Sequence, residues 1–181
     1  MVLEKPEGVL EFWFAEEVRR KWYAKDESFD QSIVARFSAT YEAAHRGELD
    51  GWIEEERSAL ALMIVLDQFP RNMFRGSPRS FESNEIALAH ARTALARGYG
   101  RALDPAERQF FYLPFMHSEA LADQELSVAL YRAMGEPESL KFAILHRDIV
   151  ARFGRFPHRN AVLGRASTEE ETEFLKTHPG F

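Results

Sequence analysis

Ala59-Leu60-Ala61-Leu62-Met63-Ile64-Val65-Leu66-Asp67-Gln68-Phe69, followed at once by Pro70-Arg71-Asn72, is the stretch that decides the fold. Its helical pattern opens at Glu55 and turns apolar on every side from Ala59, so it reads as the central buried helix of a helical protein. The uninterrupted apolar run, Ala59 to Leu66, is far shorter than the ~20 residues that cross a bilayer. Proline fixes φ and lacks an N–H, so the helix is expected to stop or kink at Pro70. Arg71 and Asn72 would then stand on a stiff loop, leading to Arg75-Gly76.

Working outward, helical periodicity covers nearly the whole chain. Pro6 suits a first helical turn, ahead of Val9, Leu10, Phe12 and Trp13. A short helical stretch follows around Val18 to Tyr23. Asp26 or Ser28 can cap a longer helix carrying Ile33, Phe37, Tyr41 and Ala44, which Gly47 closes. Beyond the central helix come a Gly76-Ser77-Pro78 turn and an alanine-rich helix from about Ser83 to Arg97. Asp104-Pro105 reads as a cap and first turn, and Pro114 is expected to kink or restart that helix before it runs on to Met134. Glu136 to Phe153 and the acidic Thr168 to Lys176 complete the set. No alternating β-type run appears, and the reading is all-α, a single compact multi-helix domain over residues 1–181, with roughly eight helices. Phe12, Trp13, Phe14, Trp22, Tyr23 and Phe29, at helical spacing, read as core rather than as a ligand cage.

Composition narrows the function. The net charge of −6 is concentrated in residues 1–60, which hold 14 acids against 8 bases. Nucleic-acid binding is disfavoured, because it rests on a basic surface that neutralises phosphates. Arginine outnumbers lysine 18 to 5, which favours planar, bidentate contacts and equally fits a genomic bias. With no cysteine there is no disulfide, no thiolate zinc site and no cysteine nucleophile. Met1-Val2-Leu3-Glu4-Lys5-Pro6 lacks the regions of a secretory signal, so a cytoplasmic protein without membrane attachment is expected.

The Phe-Pro-Arg-Asn phrase at Phe69 has a near twin, Phe156-Pro157-His158-Arg159-Asn160, leading to Gly164-Arg165. The span Lys141 to Arg165 also carries His146, Arg147, Arg152 and Arg155. Helical spacing sets His146 on an apolar line with Phe142, Ile149 and Phe153, where a histidine is more often a hydrogen-bonded core residue than a catalyst. Arginines crowded this closely repel one another unless an anion or buried carboxylates lie between them. Asp67 can reach Arg71 one turn on. In Met116-His117-Ser118-Glu119, with Asp123-Gln124 after it, helical geometry lines up His117, Leu121 and Gln124. Ser118 beside His117 is not a nucleophile and base, since adjacent helical residues point about 100° apart. Glu42 and His45 have a metal-type spacing but no second copy, so neither a metal nor any other cofactor is expected.

Together these residues resemble the bacterial family known as domain of unknown function 924. The resemblance rests on Phe12-Trp13-Phe14, on Asp67 to Asn72 with Arg75-Gly76, and on Pro114 to Glu119. It continues through Asp123-Gln124, His146, Phe153 to Asn160 and Leu163-Gly164-Arg165, and so covers nearly the whole chain. It implies a tetratricopeptide-like helical fold and no established activity. Asn84 departs from the pattern, standing where an aspartate is expected, so no acid or base role is given to it. The site expected from all this is a polar, anion-accepting pocket for a phosphorylated or carboxylated small molecule. Its candidate residues are Asp67, Arg71, Asn72, Arg75, His117, Glu119, Gln124, His146, Arg155, His158, Arg159, Asn160 and Arg165. Two alternatives stay open: a module that holds a protein or peptide partner, and arginine motifs that serve only as structural ionic staples.

Overall fold

Pro6 sits in the first turn of α1 (Pro6–Trp13), where its missing N–H costs nothing. The computed structural model describes residues 2–180, which fold into helices and turns with no β-strand. After α2 (Glu16–Arg19), Asp26 caps α3 (Glu27–His45) by accepting a 3.0 Å hydrogen bond from the Phe29 N–H. Then come α4 (Glu56–Met63), α5 (Phe69–Met73), α6 (Asn84–Ala96), α7 (Pro105–His117), α8 (Leu121–Met134), α9 (Pro137–Phe153) and α10 (Glu169–Leu175). The chain divides into two compact units, Met1–Arg75 with Arg79–Pro114, and Gly76–Pro78 with Phe115–Phe181.

In the first unit α1 packs on α4, α3 on α5, and α4 on α6. Trp13 stacks with Trp22 and meets Phe69 and Phe110 edge-on, while Phe12 packs against Phe29, Phe37 and Phe69. Trp13 and Phe29 are core, as the spacing suggested, Phe12, Phe14 and Trp22 are half-buried beside them, and Tyr23 is exposed. Every residue from Ala59 to Leu66 is fully buried.

The helix does not stop at Pro70. Between α4 and α5 the backbone opens into a π turn, Ile64–Gln68, and continues helically to Met73, so Arg71 and Asn72 lie on helix rather than on a loop. A proline here would drive its ring into the Leu66 carbonyl and leave that oxygen without its usual N–H. The wider turn relieves the clash, and the Ser83 hydroxyl donates a 2.6 Å hydrogen bond to the Leu66 oxygen.

In the second unit α8 packs against α9, and Ile149, Val150 and Phe156 form a core lined by Leu145, Phe153 and Phe174. Two further boundaries differ from the periodic reading. Pro114 is carried inside α7, and the helix ends at His117, so α8 starts afresh at Leu121. His117, Leu121 and Gln124 therefore do not share one helical line. Helix α9 ends at Gly154, whose φ of 68° is left-handed, so glycine and not Pro157 terminates it.

Because Ser83 supplies a donor inside the core, Ser83→Ala should strand the Leu66 carbonyl. The expected loss is roughly 1–3 kcal/mol of stability. Urea denaturation measures it, and a midpoint unchanged from the parent would contradict this account of the π turn.

Candidate functional site

Four of the sequence-predicted site residues, Asp67, Arg71, Asn72 and Arg75, lie in the first unit, and the other nine lie in the second. In the first unit the π turn aims Asp67 and Gln68 inward, and both are buried. Gln68 Nε2 donates to Asp67 Oδ2 at 2.6 Å, and Arg71 Nη2 donates to Asp67 Oδ1 at 3.1 Å. The same Arg71 nitrogen also reaches Asn84 Oδ1 at 3.1 Å. Asn72 and Arg75 instead converge on Asp30, an α3 residue that periodicity did not single out. Asn72 Nδ2 donates at 2.7 Å, and Arg75 forks onto both oxygens at 2.7 and 2.9 Å.

Tyr23 was read as core, but its ring is exposed. Its hydroxyl nevertheless donates to Gln109 Oε1 at 2.8 Å. A shallow groove in this unit, lined by Phe12, Val18, Lys21, Phe29 and Arg36, includes none of the expected site residues.

The second unit gathers its residues around two carboxylates. Glu119, in the break between α7 and α8, takes a fork from Arg165 at 2.7 and 3.0 Å and a 2.8 Å hydrogen bond from the Phe156 N–H. Burial pushes its pKa up, but the Arg165 fork and the Phe156 N–H outweigh that, and the net shift is down. Glu171 on α10, its side chain only 2% exposed, takes a fork from Arg155 at 2.6 and 2.8 Å. It also accepts from the Thr168 N–H at 2.8 Å and from Asn160 Nδ2 at 3.3 Å. The Arg155 fork leads the causes that hold the Glu171 carboxyl at about 2. Asn160 joins the two centres, since its Oδ1 accepts from Arg165 Nε at 3.0 Å.

Two carboxylates, Glu171 buried and Glu119 half-buried, thus sit between the crowded arginines, close to one of the two arrangements that like-charge repulsion required. Glu171 was missed as a site residue. Its signal was legible: Thr168-Glu169-Glu170-Glu171 has capping-box spacing, and the structure forms that box.

A different set surrounds Phe156. The His146 ring meets Phe156 edge-on at 5.5 Å, His158 lies 5.6 Å away, and the buried Arg159 guanidinium stands 4.3 Å over the ring. The His117 ring is 6.4 Å from that of His146. His146 is buried on the apolar face of α9, with Nδ1 2.8 Å from the Phe142 carbonyl oxygen. Burial first, and then the like-signed fields of His117, Arg159 and His158, push its pKa down to about 3. Gln124 does different work. Its Nε2 donates to the carbonyls of Met116 and Ser118, both at 2.6 Å, tying off the end of α7 on either side of His117. Among the described residues no group of three or more His, Cys, Asp or Glu could hold a metal ion. Nor is any described helix long and apolar enough to cross a membrane.

Over residues 9–179 the chain matches the family described as "Bacterial protein of unknown function (DUF924)", and it belongs to that family. Among solved structures it is similar to the protein of unknown function ATU0120 from Agrobacterium tumefaciens. The two are 43% identical with a TM-score of 0.91, covering 96% of this chain and 97% of the other. No curated protein matches the chain. The family read from the motifs and the all-helical class are both shown by these likenesses, and neither likeness carries an assigned function.

Both titrating centres of the second unit give the same sign. An unfolded chain takes up a proton at His146 near 6.5 and at Glu171 near 4.5, whereas the folded sites resist until about 3 and about 2. Stability is therefore highest above pH 6.5 and falls as the solution is acidified. His146→Leu should flatten the decline between pH 6.5 and 4.5, and Glu171→Gln the part below it. Urea midpoints measured across that range check this, and a wild-type midpoint that rises on acidification would contradict it.

Proposed function

We propose that the second unit binds a small phosphorylated or carboxylated molecule at the group formed by His117, His146, His158 and Arg159 around Phe156. The observation that carries this is the clustering of His146, His158 and the buried Arg159 guanidinium about the Phe156 ring, with the His117 ring 6.4 Å from that of His146. Three cationic or protonatable neighbours act on the buried His146 together and disfavour its charged form. Burial, the first cause of that shift, disfavours either charge, while the fields of these neighbours favour an anion. Glu119 and Glu171 are each held by an arginine fork of their own, and the field of Arg159 also reaches Glu119. Within this reading Arg155, Arg165 and Asn160 are the frame, and Arg159 with the imidazoles is the receiving face. A guanidinium suits either oxyanion, because its planar fork matches both carboxylate and phosphate. A neutral imidazole adds one donor or one acceptor without a second desolvated charge.

A second reading is favoured by the pairing itself. Arg71, Arg75, Arg155 and Arg165 each hold a carboxylate of the same chain, as structural staples would. The chain would then be an interaction module that offers a helical surface to a protein or peptide, by fold-level analogy with tetratricopeptide proteins.

The two readings part in a thermal-shift experiment with phosphate, sulfate and a small dicarboxylate, each against chloride at matched ionic strength. A bound anion stabilises the fold by RT ln(1 + [L]/Kd), about 2.7 kcal/mol at a hundredfold excess over Kd. The expected result is a larger rise in Tm with an oxyanion than with chloride, absent in Arg159→Ala. An equal rise in both proteins is a general salt effect and sinks the anion reading.

A further inference from the structure

The shallow groove of the first unit has a volume of about 460 Å³ and is lined by α1, α2 and α3. Ser28, Ser32 and Arg36 line it at four-residue spacing, so they form one face of α3. From Ser28 to Arg36 the helix rises about 12 Å, a length that roughly four extended residues span. Glu11 and Phe12 of α1 and Glu17 and Val18 of α2 contribute to the rest of the lining. The apolar part is Val18 and Phe29, both buried, with the half-buried Phe12.

The charges of the lining are unequally matched. Both of its cations are answered within the chain. Arg36 Nε donates to Glu4 Oε1 at 2.6 Å, and the guanidinium lies 5.6 Å over the Phe12 ring. Lys21 Nζ meets Asp26 Oδ2 at 2.7 Å and lies 5.6 Å over the Phe29 ring. The two lining carboxylates are different: Glu11 and Glu17 are exposed, and neither has an ion-pair partner among the described residues. The Ser28 hydroxyl donates to Asp26 Oδ1 at 2.6 Å and that of Ser32 to the Phe29 carbonyl at 2.7 Å. Each serine therefore offers an occupant a lone pair.

We propose that this groove docks a short, extended peptide segment in which lysine or arginine alternates with aliphatic or aromatic side chains. Apolar side chains of the segment cover Phe12, Val18 and Phe29, and its cations meet Glu11 and Glu17. The stems of lysine and arginine lie along apolar surface while their heads reach charge, which suits this combination. An acidic segment would set like charge against those two glutamates. A small amine fits less well, since ligand sites enclose roughly 70–90% of a small molecule and this groove is shallow. The proposal rests on the interaction reading above, to which it gives a place and a partner chemistry, and uses nothing of the anion site.

Amide chemical shifts of the full chain, followed by NMR during titration with blocked hexapeptides, test it. One peptide alternates lysine with leucine, a second glutamate with leucine, and a third lysine with serine. The expected result is saturable shifts with the first alone, clustered at Glu11, Glu17, Val18, Ser28 and Ser32. Glu11→Gln combined with Glu17→Gln should weaken that binding about tenfold, the loss of two exposed ion pairs. Unchanged affinity in that variant, equal response to all three peptides, or no saturable shift would each overturn the proposal. Shifts confined to another helical surface would overturn this site and leave the interaction reading standing.

Discussion

A guanidinium taken out of water must find a carboxylate or an equivalent oxygen, and the arrangement of this protein follows from that requirement. Desolvating an arginine is expensive, and a single missing partner leaves most of the cost uncompensated. In the second unit the demand is met twice, by Glu119 for Arg165 and by Glu171 for Arg155. Because Asn160 bonds to both centres, they act as one network. It ties the end of α9, the Pro157–Arg159 turn and α10 together. The first unit meets the same demand with Asp30 and Asp67.

This bears on how the Phe-Pro-Arg-Asn phrases work. In the first, a proline within a helix forces a π turn, and that turn orients Asp67 and Gln68 toward Arg71. In the second, the left-handed Gly154 has already ended the helix. Proline there starts a short 3-10 turn that turns Arg159 over Phe156. The same letters serve two backbone devices. The likeness between them lies in the asparagine, whose amide donates to a carboxylate in each: Asn72 to Asp30 and Asn160 to Glu171.

Pairing and ligand binding are compatible roles for one network. A charge-assisted frame that is internally complete is stiff, and stiffness lets neighbouring imidazoles hold a fixed geometry. His146 shows the effect on the site's electrostatics. Burial on an apolar face comes first in pushing its pKa down, and the fields of His117, Arg159 and His158 act in the same direction. The neutral ring then brings hydrogen-bonding capacity without a buried charge.

Periodicity alone determined that the chain is helical, that Ala59 to Leu66 is buried all round, and that His146 faces the apolar side of α9. Each of these follows from a pattern of neighbours three and four residues apart. The capping box at Thr168 was legible in the same local way, and so was the reach of Asp67 to Arg71. What remained out of reach was every partner far along the chain: Asp30 for Arg75, Glu171 for Arg155, Glu119 for Arg165 and Ser83 for the Leu66 carbonyl. The π turn at Pro70 belongs with these. Local rules give a proline a break or a kink, and only a hydroxyl from a distant turn makes continuing the helix the cheaper solution. Spacing within a helix is set by the backbone and can be read from one sequence. The choice of which acid meets which arginine is set by how the helices pack, and tertiary structure alone decides that.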